Sequence, residues 1–197
     1  MIEIKPLRIP GRWKEGFALD EHTLDSIYKG DDEYGHPIFD TTRTDIGEHM
    51  YRLKYRSDLS VVNEIIFTAG NFLSVWRPPI DLIIPVPPSR AGRQIQPVFI
   101  LAETLSKTLN IPYTNTAVTR VKDIPELKDI YNYDERLQLL EGAHAIQNSI
   151  TKGKRILLFD DLFRSGATMN AITANLYDFG MAVEVFALSI TRTRSNK

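Results

Sequence analysis

Residues 156–168, Ile-Leu-Leu-Phe-Asp-Asp-Leu-Phe-Arg-Ser-Gly-Ala-Thr, have the types and spacing of a ligand site. Four apolar residues lead into two adjacent carboxylates, and a short loop of small and hydroxyl-bearing residues then enters a predicted helix. The first amides of a helix have no acceptor within the helix, and a nearby glycine lets a phosphate approach them. Asp160 and Asp161 would repel a phosphate, but as acceptors they suit ribose hydroxyls or a magnesium shell. The segment therefore predicts a sugar-phosphate site.

Other interpretations of this segment are simpler. The carboxylates could merely solvate the end of a strand, and Ser165-Gly166 could form an ordinary turn. An apolar strand ending in acids also occurs as a Walker B element. However, the sequence contains neither Gly-x-x-x-x-Gly-Lys-Ser/Thr nor Gly-x-Gly-x-x-Gly. These absences exclude the P-loop NTPases and the dinucleotide-binding proteins.

A second loop with possible anion ligands follows an apolar run over residues 81–86. It reads Pro85-Val-Pro-Pro-Ser-Arg90, and Arg93 follows shortly after. Amides, a hydroxyl and guanidinium groups suit a pyrophosphate, so Pro88, Ser89 and Arg90 are candidate ligands. A rigid proline-rich turn with arginines in solvent is the alternative.

Strands and helices must bring these loops together. Apolar runs predict strands over 81–86, 155–159 and 183–190. Helical spacing predicts helices over 62–76, 97–109 and 169–179, with a turn over 160–168 between the second strand and the last helix. Runs without polar alternation are typical of strands covered on both faces. The repeated strand–helix–strand order favours a mostly parallel sheet flanked by helices, with ligands at the carboxyl ends of the strands. Short strands and turns are expected over residues 1–45.

Composition limits the classes of function. The 197 residues include 24 Lys+Arg, 25 Asp+Glu and no cysteine. A cysteine-free chain has no disulfide framework, thiolate zinc site or cysteine nucleophile, and a reducing compartment is its expected location. A net charge of -1 disfavours a surface built for duplex DNA or anionic membrane. No apolar run suggests a signal peptide or a bilayer span, so we expect a cytoplasmic protein.

The segment from Phe159 to Thr168 resembles the signature of the type I phosphoribosyltransferases: an apolar strand, Asp-Asp, small or hydroxyl residues, glycine, a small residue and threonine. The resemblance implies that Asp160 and Asp161 hold the ribose hydroxyls of 5-phosphoribosyl pyrophosphate (PRPP). Through those hydroxyls or through water, the two carboxylates would also hold Mg²⁺. It further implies that the 5-phosphate is bound by Arg164, Ser165, Gly166, Ala167 and Thr168. Arg164 departs from the hydroxyl residue common at its position, although its charge suits a phosphate.

Further segments resemble the ComF-type, competence-associated and amidophosphoribosyltransferase-like branch over roughly residues 46–192. They are the Leu-Lys-Tyr segment at 53–58, the pyrophosphate loop at 85–90, and an active-site segment at 120–128 followed by Glu135-Arg136 and Gly142-Ala143. The resemblance implies that Arg120 and Lys122 are catalytic and close over the departing pyrophosphate. Because acidic residues alternate with the basic ones in this segment, a solvated mobile loop is the alternative. Lys54 and Tyr55 are expected to close a helix, with ligand contact across a dimer as the alternative.

Two features depart from this branch. The four-cysteine zinc module that usually begins such proteins is absent, so residues 1–45 must have another role. Ile124 and Leu127 stand where the branch usually has threonine and glutamine. The identity of the acceptor therefore stays open.

The resemblance implies an α/β type I phosphoribosyltransferase fold, with an N-terminal hood or extension over 1–45 and the transferase domain over 46–197. It implies a homodimeric enzyme that transfers the phosphoribosyl group from PRPP to a nitrogenous acceptor and releases pyrophosphate. No membrane association and no direct nucleic-acid binding are expected. A non-catalytic sensor of PRPP or a nucleotide, linked to DNA uptake or nucleic-acid processing, is the alternative. A phosphate-binding structural module is a third.

Overall fold

A computed structural model describes residues 1–88, 95–122, 130 and 132–194. The strands are β1 (Leu7–Arg8), β2 (Glu15–Glu21), β3 (Thr23–Asp31), β4 (Pro37–Arg43), β5 (Leu82–Pro85), β6 (Val118–Arg120), β7 (His144–Ile146), β8 (Arg155–Phe163) and β9 (Glu184–Arg192). The helices are α1 (Asp45–Arg56), α2 (Val62–Trp76), α3 (Pro97–Leu109), α4 (Tyr133–Leu140), α5 (Asn148–Thr151) and α6 (Ala167–Asp178), with a 3-10 turn at Leu59–Val61.

The central sheet has the strand order β1-β2-β9-β8-β5. The last four of these strands are parallel, and β1 is antiparallel at one edge. The carboxyl ends of β2, β9, β8 and β5 therefore lie along the same edge of the sheet. This confirms the expected α/β class with a mostly parallel sheet, and it brings the carboxyl ends of β5 and β8 side by side.

Helices cover both faces of this sheet because its strands are apolar on both. Consecutive residues of a strand point to opposite faces. Leu157 and Phe159 pack into a core with α1, α2 and α3, whereas Ile156 and Leu158 pack into a second core with α6. The same alternation continues into the two carboxylates that follow Phe159.

Strand β8 is longer than the sequence predicted, and the predicted turn over 160–168 is wrong in its first half. Pairing with β9 continues beyond Phe159, with Asp160 opposite Ser189, Leu162 opposite Thr191 and Phe163 opposite Arg192. Only residues 164–166 separate the strand from α6. The strand continues because a neighbouring strand satisfies its backbone groups. Both carboxylates therefore belong to the sheet.

Helix α2 and the 3-10 turn before it contain an apolar stretch of bilayer length, although none was expected from the sequence. Among the described residues, Leu59–Trp76 is long and apolar enough to cross a membrane by length and composition. Ile65, Ile66, Ala69 and Leu73 of this stretch lie in the core that contains α3 and the sheet. Packing within the protein accounts for these four residues, whereas Leu59, Phe67 and Val75 of the same stretch are exposed.

The first 45 residues consist of two structurally different parts, both built from the short strands and turns that were expected. Strand β2 lies inside the central sheet beside β9, and its Leu19 is fully buried. The β3–β4 hairpin is a separate two-stranded sheet whose residues are mostly exposed. The division into a hood over 1–45 and a domain over 46–197 stays a prediction, and the part of 1–45 outside the central sheet is chiefly this hairpin.

Candidate functional site

The loop after β8 leaves the first turn of α6 open. Gly166 is the N-cap residue, with φ of 75°, and no side chain caps the helix. A Cβ atom at this position would lie 2.7 Å from Cε2 of Phe163. The Ser165 hydroxyl accepts a long bond of 3.4 Å from the Ala167 amide. The free end of a helix dipole with small residues around it is suited to bind an anion.

The β1–β2 loop supports this first turn from the side. Within α6, the backbone amide of Asn170 donates to the carbonyl of Gly166 at 2.8 Å. The Asn170 side-chain oxygen accepts from the Arg12 amide at 2.7 Å. Trp13 packs edge-on against Phe163, with ring centroids 6.2 Å apart. Sequence reasoning did not connect Arg12 or Trp13 with the loop, because these contacts join segments far apart in the chain.

Asp160 and Asp161 lie near the carboxyl end of β8, two residues before the loop begins. Their strand positions direct the two side chains to opposite faces of the sheet. One Asp160 oxygen accepts from the Asp161 amide at 2.8 Å. Burial, and then the neighbouring Asp161 carboxylate, raise the pKa of Asp160 well above its usual range. The pair therefore carries less negative charge than two exposed carboxylates would.

Lys54 on α1 reaches this carboxylate pair directly. Its Nζ donates to Oδ2 of Asp161 at 3.0 Å, and the two side chains are only 22% and 16% exposed. From the sequence, Lys54 is expected to close a helix. Its place in the last turn of α1 is confirmed, and the contact with Asp161 within one chain is new. The Leu-Lys-Tyr segment was the available signal, but it does not show which residue Lys54 meets.

A second set of contacts holds the backbone of Asp161. The Thr191 hydroxyl donates to the Asp161 carbonyl at 3.3 Å and lies 3.1 Å from Nδ1 of His22. Burial lowers the pKa of His22, and the charges of Arg43 and Lys54 lower it further. A neutral His22 thus lies just beyond the end of β2, beside the charged pair.

The proline-rich loop begins next to the Asp-Asp segment, as the sheet order requires. Strand β5 pairs with β8, and the Val86 amide donates to the Phe159 carbonyl at 2.8 Å. Pro88 therefore follows β5 at the same edge as Asp160. The other predicted pyrophosphate ligands, Ser89 and Arg90, lie outside the described residues, so their role stays a prediction.

Arg120 and Lys122 lie on the β6–β7 unit beside the N-terminus of α6. The Arg120 Nε donates to the Lys122 carbonyl at 3.2 Å, and Lys122 Nζ donates to the Glu141 carbonyl at 2.7 Å. This unit is tied to the candidate phosphate loop through apolar contacts among Leu140, Ala143 and Ala167. Both basic residues therefore lie in a segment that packs against α6. Their catalytic role stays a prediction.

His144, opposite Arg120 in this unit, gives a pH-dependent prediction. His144 is 7% exposed, and burial together with the charge of Arg120 lowers its pKa to about 4. The unfolded chain binds this proton near pH 6.5, so the folded state binds fewer protons between the two values. As the pH falls through this window, the free energy of unfolding should decrease by roughly 3 kcal/mol from His144.

Urea unfolding measured between pH 4 and pH 8 tests this expectation. His144→Leu should flatten the dependence, whereas His36→Leu, on the exposed hairpin, should leave it unchanged. Equal pH slopes in the wild type and in His144→Leu would contradict the assignment.

The described side chains do not form a complete metal site. They include no group of three or more His, Cys, Asp or Glu with the placement of metal ligands. Asp160 and Asp161 have the hard oxygen donors that Mg²⁺ prefers, but two carboxylates fill only part of its shell. The donor set thus fits a magnesium ion that takes its other ligands from a substrate and water.

Comparison with known proteins gives one sequence similarity and several structural ones. No protein-family profile matches the chain. Over 147 residues, 74% of the chain, it is 26% identical to competence protein ComFC of Bacillus subtilis (strain 168). The chain covers 59% of the length of that relative.

The similar solved structures include two phosphoribosyltransferases. For adenine phosphoribosyltransferase from Thermoanaerobacter pseudethanolicus, the TM-score is 0.47 at 15% identity, over 86% of this chain and 95% of that one. For purine phosphoribosyltransferase from Pyrococcus horikoshii Ot3, the TM-score is 0.40 at 20% identity, over 68% and 83%.

Three observations agree on the family. The mostly parallel sheet carries paired carboxylates near the end of β8, an uncapped helix begins after the next five residues, and the similarity to ComFC covers 74% of the chain. These findings support a ComF-type protein with the type I phosphoribosyltransferase fold.

Proposed function

We propose that this protein binds PRPP together with Mg²⁺ and transfers its phosphoribosyl group to a nitrogenous acceptor, with release of pyrophosphate. The observation that carries the proposal is that Asp160 and Asp161, near the end of β8, precede the uncapped N-terminus of α6 by a few residues, at the carboxyl edge of a parallel sheet. A sugar phosphate matches both halves of this arrangement, because its phosphate suits the helix end and its hydroxyls suit the carboxylates.

The reaction that we propose exchanges one bond at the C1 atom of the ribose. The bond from C1 to a pyrophosphate oxygen breaks, and its electron pair leaves with pyrophosphate. The acceptor nitrogen forms the new bond to C1 and releases its proton to solvent. Positive charge develops on the ribose ring between these events, so the protein acts by positioning and by charge stabilisation.

Each part of the site has a role in this proposal. The segment from Arg164 to Thr168 holds the 5-phosphate, and the Asp160–Asp161 pair orients the ribose. Pro88, Ser89 and Arg90 receive the pyrophosphate, and Arg120 and Lys122 approach it from the β6–β7 side. When bound, Mg²⁺ supplies charge neutralisation of the leaving pyrophosphate.

The β3–β4 hairpin is the proposed hood for the acceptor. It leaves the sheet directly after Glu21 and returns at Thr44, before the helix that carries Lys54. Its side chains Ile27, Tyr28, Ile38 and Phe39 are about half exposed. Apolar and aromatic surface at this position suits a planar heterocyclic base.

The second candidate function is a sensor that binds PRPP or a nucleotide without turnover. The similarity to a protein named for competence rather than for a transfer reaction favours this candidate. The departures at Ile124 and Leu127 from the usual active-site segment agree with it.

Calorimetry with PRPP and Mg²⁺, followed by a pyrophosphate-release assay across purines, pyrimidines, glutamine and ammonia, separates the candidates. Saturable binding with release for one acceptor class supports the transferase. Binding without release for any of them supports the sensor, and absence of binding contradicts both. We further propose a cytoplasmic homodimer, whose mass light scattering would measure.

A further inference from the structure

The ion pair between Lys54 and Asp161 joins a helix of the N-terminal half to the candidate PRPP site. Lys54 binds only Oδ2 of Asp161, at 3.0 Å. Within the described part of the chain, the other oxygen of that carboxylate has no hydrogen bond from protein. One side of Asp161 is therefore held by the helix, and the other remains available as an acceptor.

The position of Lys54 follows from how α1 is anchored. The Thr44 hydroxyl donates to the Glu21 carbonyl at 2.6 Å and accepts from the Gly47 amide at 3.0 Å. A Cβ atom on residue 47 would lie 2.1 Å from the His22 carbonyl oxygen, so glycine permits this close approach. Met50 and Leu53 then pack into the core and turn the last helical turn toward the end of β8.

The charge of the site shows why a lysine is needed there. PRPP carries phosphate and pyrophosphate groups, and two adjacent carboxylates would repel them. The ammonium of Lys54 offsets the charge on Asp161, at a position where low solvent exposure limits screening by salt.

We propose that Lys54 is a positioning residue of the PRPP site. It orients the Asp161 carboxylate toward a ribose hydroxyl and cancels the charge that would otherwise repel the ligand's pyrophosphate. This inference rests on the proposed function, since it assumes that PRPP is the ligand.

The test compares the affinity of Lys54 variants for PRPP with Mg²⁺, measured by calorimetry. Lys54→Met should weaken binding about 10- to 100-fold, the range expected for one charge-assisted hydrogen bond. Lys54→Arg retains the cation and should recover most of the affinity. Lys107→Met removes the lysine of an exposed ion pair on α3 and should bind like the wild type.

A double-mutant cycle distinguishes action through Asp161 from a general loss of structure. In an Asp161→Asn background the carboxylate charge is gone, so adding Lys54→Met should weaken PRPP binding less than about 3-fold. This double variant also avoids an unpaired buried carboxylate, so it remains informative should Lys54→Met fold poorly. Ribose 5-phosphate, which lacks the pyrophosphate, should lose less affinity than PRPP in Lys54→Met.

Failure of this inference differs from failure of the proposed function. If the wild type binds PRPP and Lys54→Met binds it equally well, the role of Lys54 is overturned and the proposed function stands. Equal losses in both Asp161 backgrounds, or equal losses for PRPP and ribose 5-phosphate, also overturn it. If the wild type does not bind PRPP at all, the proposed function itself fails.

Discussion

Replacing Asp160 and Asp161 together by asparagine should weaken PRPP binding by about two to four orders of magnitude. Hydrogen bonds from ribose hydroxyls to charged acceptors contribute about 1.5 to 3 kcal/mol each, and about 1.4 kcal/mol corresponds to a factor of ten. An asparagine side chain has one carbonyl oxygen in place of two charged ones, so it can hold a hydroxyl only weakly. Calorimetry with PRPP and Mg²⁺ measures the loss.

A matched control is available on the helix that follows. Asp178 lies exposed at the far end of α6, and Asp178→Asn removes one carboxylate without touching the site. Its PRPP affinity should equal that of the wild type. Unchanged or tighter PRPP binding by the double variant, with its fold intact, would show that the carboxylates do not hold the ligand.

Gly166→Ala should damage both stability and ligand binding. The positive φ of 75° costs a residue with a side chain about 1 to 2 kcal/mol. The new methyl group would also meet the Phe163 ring at 2.7 Å, which adds about 1 to 3 kcal/mol of overpacking. Relief of this clash has to shift the Phe163 ring, which packs against Trp13, or the loop itself. PRPP affinity should therefore fall by about 100-fold, if the displaced loop loses two hydrogen bonds to phosphate.

Gly153→Ala separates these two effects. Gly153 has nearly the same φ, 72°, but a Cβ atom there would meet nothing within 4 Å. It precedes β8, at the opposite end of the strand from the loop. Urea unfolding should show the backbone cost alone, and PRPP binding should be unaffected. Equal loss of PRPP binding in both variants would mean that the loop geometry at Gly166 has no special role.

Much of the fold can be predicted from the amino-acid sequence, because the patterns that specify it lie among neighbouring residues. The apolar run at 155–159 forms a strand covered on both faces, and α3 begins at Pro97 and ends before Asn110 as its stripe of apolar residues predicts. The succession Asp160, Asp161, Gly166 places carboxylates and a helix N-terminus within a few residues of each other. Such features depend on side-chain alternation and capping, which neighbouring residues suffice to specify.

Other features depend on partners that lie far away along the chain. Strand β8 runs on to Phe163 because β9 continues beside it, and no pattern within 160–168 shows that support. Strand β2 enters the central sheet through its pairing with β9. Lys54 meets Asp161 across 107 positions of sequence, because the docking of α1 against His22 and the core brings the two together. Pairing and packing over such separations arise from the folded arrangement as a whole, so the residues of either segment alone do not reveal them.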